Sequence, residues 1–345
     1  MKNLKDDLIN MALAMGAIRA GVADLAALQG PPSADPAYLL PGARSVVAFA
    51  LPLGRDWIPD YFSKKTRRVF ADVMYDTYQS IGAIGGRLKD MLESAGFPAA
   101  APQPNGVYRR EASKPGGFMV PDFSLRYAAL ASGVGTLGWS GNVMVEGHWS
   151  AVFLGAVLTE ADLPPDAPLE SNLCDGCRIC SRVCPLGFVQ AKASDSVTLG
   201  GREYVCNAKG NHMRCGLVCA GLVGLSRDRA WSTWATLRYR VGEDDRALGL
   251  AFNRALSDPA SEYIRGHIFS DNLRHGVLAR GREETQPTCC NCALVCSGPR
   301  EHRQALMERL HASGIVVRRE DGTELAVRPE HLDPLITFDT ENEGG

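Results

Sequence analysis

The chain has 345 residues, 45% of them hydrophobic, which is enough for a sizeable core and for two domains. Its 37 Lys and Arg residues nearly balance 39 Asp and Glu residues, and the formal net charge of -2 argues against a protein that grips a long stretch of nucleic acid. All 11 cysteines lie between residues 174 and 296, and an odd count in metal-like spacing argues against a secreted disulfide framework.

The N-terminal residues show no targeting pattern. The first seven, MKNLKDD, lack both the apolar core of a secretory signal and a twin-arginine motif. No stretch of the chain approaches the roughly eighteen apolar residues of a membrane span. We therefore expect a soluble cytoplasmic protein with no membrane partner, in a cell that spends time without oxygen.

The first hundred residues predict two helices and a buried strand. Residues 4–15 carry apolar side chains at helical spacing, and a short apolar stretch follows at 20–23. Residues 45–52, SVVAFALP, form a short apolar run typical of a buried strand. The basic run KKTRR at 64–68 is interpreted as a solvated helix start. A long amphipathic helix then continues to about Gly96.

Glycines interrupt the middle of this long helical pattern. Gly82, Gly85 and Gly86 weaken the predicted helix there, and we interpret them as positions of tight packing rather than of cofactor approach. Residues 98–120 are rich in Pro and Gly, and they carry Tyr108 and Arg109. A long irregular connection of this kind is as consistent with a functional loop as with a plain one.

The next segment leads to the cysteines. Residues 121–131 predict a helix in which Asp122 accepts backbone N–H bonds as the N-cap. The glycine-rich turn GVGTLGWSG follows without the spacing of a phosphate-binding motif. Residues 142–145 and 150–158 are predicted to pair as a β-hairpin, and the proline-rich residues 164–168 form a stiff linker.

The strongest chemical signal is the run CDGCRICSRVCP at residues 174–185. Its spacing, C-x2-C-x2-C-x3-C-P, is that of ferredoxin-type domains, in which three close thiolates bind one [4Fe–4S] cluster and the fourth binds another. Structural zinc sites usually present C-x2-C pairs far apart, so zinc is the weaker alternative. The ligands predicted here are Cys174, Cys177 and Cys180 for one cluster and Cys184 for a second.

A second, incomplete cysteine set follows at residues 289–296, CCNCALVC. Cys289, Cys292 and Cys296 have the spacing C-x2-C-x3-C, and in the crossed arrangement of two-cluster ferredoxins Cys296 completes the first cluster. The adjacent Cys290 is predicted to be a packed or free thiol.

The second cluster, with Cys184, Cys289 and Cys292, still needs one ligand. Cys206, Cys215 and Cys219 compete for this place, with a weak preference for Cys215 in its glycine-rich segment.

The cysteines also divide the chain. We predict a first domain at 1–168, a cluster domain at 169–300 with a long insertion at 207–288, and a C-terminal extension at 301–345. Trp231 and Trp234, within the insertion, are predicted core residues. An Arg-rich helix and a hairpin that turns at Asp321 and Gly322 are predicted in the extension.

Three stretches together resemble one family. They are LLPGARSV at 39–46, the segment from Asp122 to the Leu137-Gly138-Trp139 turn, and SAVFLGAVLT at 150–159 ahead of the cysteine run. In this order they look like the epoxyqueuosine reductases, and the layout is also similar to the reductive dehalogenases. The resemblance covers about residues 1–190 and the second cysteine set.

The resemblance implies an α+β fold: a flavin-reductase-like (nitroreductase-like) α/β domain that binds cobalamin, followed by a ferredoxin-like domain with two [4Fe–4S] clusters. Electrons from an external donor such as ferredoxin or flavodoxin would pass through the clusters to the cobalamin, which would reduce a bound substrate. The family's proposed general acid matches Asp122, and with the resemblance this role is favoured over that of an N-cap. The expected cofactor-binding residues are Tyr108, Arg109, Asp122, Gly138, Trp139 and Ser140.

Several departures from the family pattern concern the substrate. Asn142 stands where a basic residue usually follows the Gly-Trp turn, and the second cysteine set lacks its C-P-W ending. The helical repeats that bind tRNA in some members are missing, and the charge is not basic. We therefore expect a small molecule or a corrinoid protein as substrate, with tRNA disfavoured. The main alternative is an electron-transfer or activation protein that reduces a partner and binds no cobalamin; a flavin-containing reductase is a weaker one.

Overall fold

The computed structural model describes residues 1–104, 109, 120–219, 221–238, 241, 244, 246–251, 281–283, 285–319 and 321–332. In these ranges the helices that position the site are α1 (Lys2–Ala14), α2 (Ile58–Phe62), α3 (Arg68–Ser94), α4 (Leu125–Ala131), α5 (Ile179–Arg182), α6 (His212–Cys219), α7 (Asn291–Leu294) and α8 (Arg300–His311). The strands are β1 (Arg19–Asp24), β2 (Ser45–Pro52), β3 (Ala99–Ala100), β4 (Thr136–Leu137), β5 (Val143–Met144), β6 (Val152–Thr159), β7 (Ser194–Leu199), β8 (Arg202–Asn207), β9 (Ile315–Arg318) and β10 (Glu324–Val327). No helix of this described part is long and apolar enough to cross a membrane.

An antiparallel sheet with the order β1-β2-β6-β3 organises the first half of the chain. The predicted strand at 45–52 is confirmed as β2, and it lies between β1 and β6. Because successive side chains of a strand point to opposite faces, Val47 and Phe49 pack with α1 and α3, whereas Val46 and Ala48 pack with α4. Both faces of β2 are therefore buried, which explains its unbroken apolar sequence. The protein is a mixed α/β protein.

The predicted hairpin of residues 142–145 and 150–158 is wrong. Strand β5 pairs with β4, and β6 pairs with β2 and β3, so that only an isolated bridge joins Val145 to Trp149. The physical reason lies in the apolar pattern of β6. Its side chains are buried or half-buried along nearly all of its length, which suits the centre of a covered sheet better than an exposed hairpin.

Helix α4 begins later than predicted. Its N-cap is Ser124, whose Oγ accepts a hydrogen bond from the Tyr127 N–H at 3.4 Å, so the prediction that Asp122 caps this helix is wrong. The Asp122 carboxylate instead accepts the N–H of its neighbour Phe123 at 2.7 Å. Asp122 is thus free of a capping role and lies in the turn that leads to the helix.

The second half of the chain packs around the cysteines. Trp231 and Trp234 are buried as predicted, and they belong to an apolar cluster that also includes Tyr61 and Phe62 of α2 and several residues of α8. The predicted hairpin at Asp321 is confirmed, with β9 and β10 antiparallel. One core therefore joins a helix from the first half of the chain to the segments that carry the cysteines.

Candidate functional site

The first group of cysteines lines one small cavity. Cys174, Cys177, Cys180 and Cys296 all face it. Gly176 and Arg178, between the first three, have left-handed φ angles of 68° and 59°, which turn the chain so that their neighbouring cysteines share one side. Burial, followed by the charges of the neighbouring thiols, raises the pKa of Cys180 to about 12.

Hydrogen-bond donors surround this first group. The backbone N–H of Trp139 donates to Cys174 Sγ at 3.3 Å, and the Arg303 guanidinium donates to Cys177 Sγ at 3.4 Å. Arg303 is buried, and Asp175 balances its charge at 2.7 Å. Thiolates that bind iron accept hydrogen bonds of this kind.

The second group contains Cys184, Cys215, Cys289 and Cys292. Burial is the main cause that raises the pKa of Cys292, and the charges of Cys215, Cys289, Cys184 and Cys290 raise it further. These thiols therefore lie near one another, and the predicted non-ligand Cys290 is among them. The side-chain amide of Asn142 donates to Cys292 Sγ at 3.7 Å. Asn142 thus contacts the second group directly.

Cys206, the first candidate for the last ligand, lies in β8. It packs in the core of the first half, and its thiol donates to the Asn207 carbonyl oxygen at 3.6 Å. Cys215 and Cys219 of α6 are both near the second group. Their sulfur atoms are 3.7 Å apart, and the hydrogen bond with Cys219 lowers the pKa of Cys215. Either sulfur atom could be the donor in this contact, so both Cys215 and Cys219 stay candidates for the last ligand.

The cysteines of the first group surround a space. Among the residues that the structure describes, no group of three or more His, Cys, Asp or Glu side chains is arranged to hold a metal ion. A [4Fe–4S] cluster has four cysteine ligands, one for each iron, so its thiolates surround a cube and do not converge on one point. Four thiols around one cavity therefore fit such a cluster.

Asp122 lies apart from these thiol contacts. It is only 4% exposed, and its pKa is raised because burial outweighs the Phe123 N–H and the Arg109 guanidinium, both of which lower it. Arg109 stacks over the Tyr38 ring at 4.1 Å. The structure thus brings two of the predicted cofactor-binding residues together, while Tyr108 lies outside the described residues.

The other three predicted cofactor-binding residues lie at the first cysteine group. Gly138, Trp139 and Ser140 line the same small cavity as the cysteines. The Trp139 indole N–H donates to the Gln190 carbonyl at 2.8 Å, and the Arg178 guanidinium lies over the ring. These contacts place the Trp139 ring against the cluster segment.

Lys64 is a site residue that the sequence interpretation missed. The run at 64–68 was expected to be solvated, but Lys64 is 7% exposed, and burial lowers its pKa to about 7 while the charge of Cys289 opposes this shift. The reason is its position just after α2, whose residues Tyr61 and Phe62 pack into the core around the cysteines. A charge run gives no signal for such a contact, because it depends on residues more than 200 positions away.

Comparisons with known proteins support the resemblance over part of the chain. No family model matches it. An epoxyqueuosine reductase of Bacillus cereus is 28% identical over 169 residues, which cover 47% of this chain and 40% of that protein. One of a Synechococcus species is 30% identical over 172 residues, 48% of this chain and 47% of that protein. The chain thus spans less than half the length of these curated homologues, which are reductases.

Solved structures of epoxyqueuosine reductases and of reductive dehalogenases are also similar to this chain. A crystal structure of epoxyqueuosine reductase with a tRNA-Tyr stem loop covers 90% of this chain and 80% of its own, at 18% identity and a TM-score of 0.43. A reductive dehalogenase structure covers 78% and 36%, at 16% identity and a TM-score of 0.46.

Proposed function

We propose that this chain is an iron–sulfur oxidoreductase in which two [4Fe–4S] clusters pass electrons to a cobalamin that reduces a bound substrate. The observation that carries the proposal is the crossed grouping of the cysteines. Cys296 lies with the first group although more than a hundred residues separate it from them in sequence. Cys184 belongs to the motif of the first group but lies with the second group. This is the grouping of two-cluster ferredoxins.

The cysteines would hold the clusters, which supply one-electron transfer when bound. Cys174, Cys177, Cys180 and Cys296 hold the first, and Cys184, Cys215, Cys289 and Cys292 hold the second. The Trp139 N–H and Arg303 stabilise the thiolates of the first, and Asn142 donates to the second. Hydrogen bonds to cluster sulfurs and charges nearby set the reduction potential.

Asp122 would act as the general acid of the reduction. Its pKa is raised by burial, so it keeps its proton to a higher pH than a solvated aspartate, and the charge of Arg109 opposes this shift in part. Adding electrons to an epoxide or a similar group leaves an oxyanion that needs a proton. Cobalamin, when bound near Asp122, would supply the reducing equivalent.

The substrate that fits the charge balance best is a small molecule or a corrinoid protein. A formal net charge of -2 gives no general attraction for a polyanion such as tRNA. Ferredoxin or flavodoxin is the proposed electron donor, and the cytoplasm the proposed location.

A second candidate is an electron-transfer protein that reduces a partner and binds no cobalamin. One observation favours it: Gly138, Trp139 and Ser140 line the small cavity of the first cysteine group and contact the cluster segment. In that case these residues shield a cluster and do not hold a corrin.

Metal analysis distinguishes the two. The chain is purified without oxygen from cobalamin-supplemented cells, and cobalt and iron are counted per chain with the visible spectrum. About one cobalt beside about eight irons, the content of two four-iron clusters, supports the reductase. Iron without cobalt after reconstitution supports the electron-transfer protein, and the absence of iron after reconstitution would contradict both.

A further inference from the structure

Lys64 is a buried cation in an aromatic cage beside the second cysteine group. Its Nζ lies 5.6 Å from the centre of the Trp234 ring and 6.0 Å from that of Tyr61. The cage is fixed by three hydrogen bonds: the Tyr61 hydroxyl donates to the Cys289 carbonyl at 2.9 Å, the Trp234 indole donates to the Tyr61 carbonyl at 3.1 Å, and the Trp234 N–H donates to the Thr288 carbonyl at 3.0 Å. The cage therefore holds the ammonium next to a predicted cluster ligand.

The position of Lys64 is unfavourable in the protein alone. Its buried Nζ has no hydrogen-bond partner among the described residues, and its φ of 59° lies in the left-handed region that a lysine rarely adopts. A buried charge without a partner, on strained backbone, persists where it has a role. Opposite charge favours the ammonium form, and four thiolates with their cluster supply it.

The two cysteine groups differ in their balance of charge. At the first group, the guanidinium of Arg303 is paired with Asp175. At the second, the Lys64 ammonium contacts the Trp234 and Tyr61 rings, and the half-buried Lys209 lies near Cys215 and Cys292. Arg178 and Arg303 give the first group positive charge as well, so the difference lies in pairing: Arg303 has a carboxylate partner, whereas the Lys64 ammonium has no hydrogen-bond partner among the described residues.

We propose that Lys64 gives a fixed positive charge to the cluster at Cys184, Cys215, Cys289 and Cys292 and thereby raises its reduction potential. The inference rests on the proposed function, because it needs the cluster. The step it favours adds one electron from the external donor to the oxidised cluster. No bond breaks and Lys64 keeps its proton, so its charge offsets the added negative charge through a poorly screening interior.

The test is a redox titration of the full, cluster-loaded chain in which both clusters are followed. In Lys64→Met the reduced-to-oxidised ratio of the second cluster at a fixed potential is expected to fall at least tenfold, which is 59 mV for a one-electron couple. The first cluster is expected to keep its ratio. Arg303→Gln identifies the first couple, because Arg303 contacts Cys177.

Lys65 provides the matched control. It is the neighbouring lysine, 65% exposed and paired with Asp60, so Lys65→Met is expected to shift neither couple. Lys64→Arg keeps the charge and is expected to keep the potential. Lys64→Gln, a second neutral variant, must repeat the shift of Lys64→Met.

Three results would overturn the inference. The first is an unchanged second couple in a folded, iron-loaded neutral variant, and the second is an equal shift in Lys65→Met. The third is loss of iron from both neutral variants but not from Lys64→Arg, which would make the charge a requirement for cluster retention and not a determinant of potential. A wild-type chain that binds no iron would instead contradict the proposed function.

Discussion

The side chain of Asp122 experiences two opposing effects. Burial raises its pKa, while the Phe123 N–H and Arg109 lower it, and burial is the larger effect. A proton donor must be protonated, so turnover is expected to fall as the pH rises through the pKa of this group. Asp122→Asn should lower turnover by about 10² to 10⁴, the range for loss of a general acid, with a flat pH profile and both clusters present. Unchanged turnover would remove Asp122 from the mechanism.

The same variant separates a chemical role from a structural one. Because the pKa of Asp122 is raised in the folded state, its favourable contribution to stability is present below the unfolded pKa of about 3.9 and is lost as the pH rises through the folded value. Above the pKa of the folded state, Asp122→Asn removes a buried charge, while its side-chain oxygen can still accept the Phe123 N–H. Thermal unfolding should therefore show a variant at least as stable as the wild type, with exposed Asp60→Asn as control.

Single residues also show where a sequence pattern is insufficient. Both Asp122 and Ser124 can cap a helix, and only the observed backbone decides for Ser124. Lys64 belongs to a run of charged residues, and its burial follows from a core assembled with Trp234 and Cys289. Local chemistry predicts what a side chain can do, whereas its surroundings are fixed by distant contacts.

Helices and strands whose apolar residues follow one clear periodicity could be predicted from the sequence. The apolar run of β2 and the helical spacing of α1 and α3 each have a single favourable burial pattern. The partner of β6 was not predictable in this way, because proximity along the chain favoured a hairpin. Because both faces of β6 carry apolar side chains, β6 is buried on both sides when it lies beside β2 in the centre of the sheet.

The contact between the sheet and α3 gives a prediction at this scale. Gly155 of β6 is the cross-strand partner of Phe49, and an added Cβ would overlap the Phe49 ring and meet Ile81 of α3 at 2.9 Å. Gly155→Ala should therefore destabilise the protein by about 1–3 kcal/mol through overpacking. Denaturant unfolding at constant pH measures this change.

Gly86 of α3 is the matched control for the same substitution. An added Cβ there meets nothing within 4 Å, and the residue lies inside a helix. Gly86→Ala should stabilise the protein by roughly 0.5–1 kcal/mol, since alanine loses less backbone entropy in a helix. Equal effects of the two substitutions would contradict the packing described for Gly155.

At the scale of the whole molecule, the two cysteine groups tie distant parts of the chain together. Regular spacing identified seven of the predicted ligands, because closely spaced thiolates bind one cluster through local geometry. Cys215 has no such local pattern. Its place beside Cys184, Cys289 and Cys292 depends on how α6 packs in the fold, so the sequence could only name it among three candidates.

The crossed grouping predicts which cysteines act as a pair. Cys174→Ala and Cys296→Ala, 122 positions apart, should each lose the first cluster, and the double variant should lose no more iron than either one. Cys184 is only four positions from Cys180, yet Cys184→Ala should lose the second cluster, as should Cys289→Ala. Iron counts and the spectrum of the remaining cluster measure this, with Cys206→Ala expected to keep both clusters. Loss of the same cluster in Cys174→Ala and Cys184→Ala would contradict the crossing. It would mean that the motif at 174–185 binds one cluster by itself, so that the second half of the chain would no longer be needed to complete it.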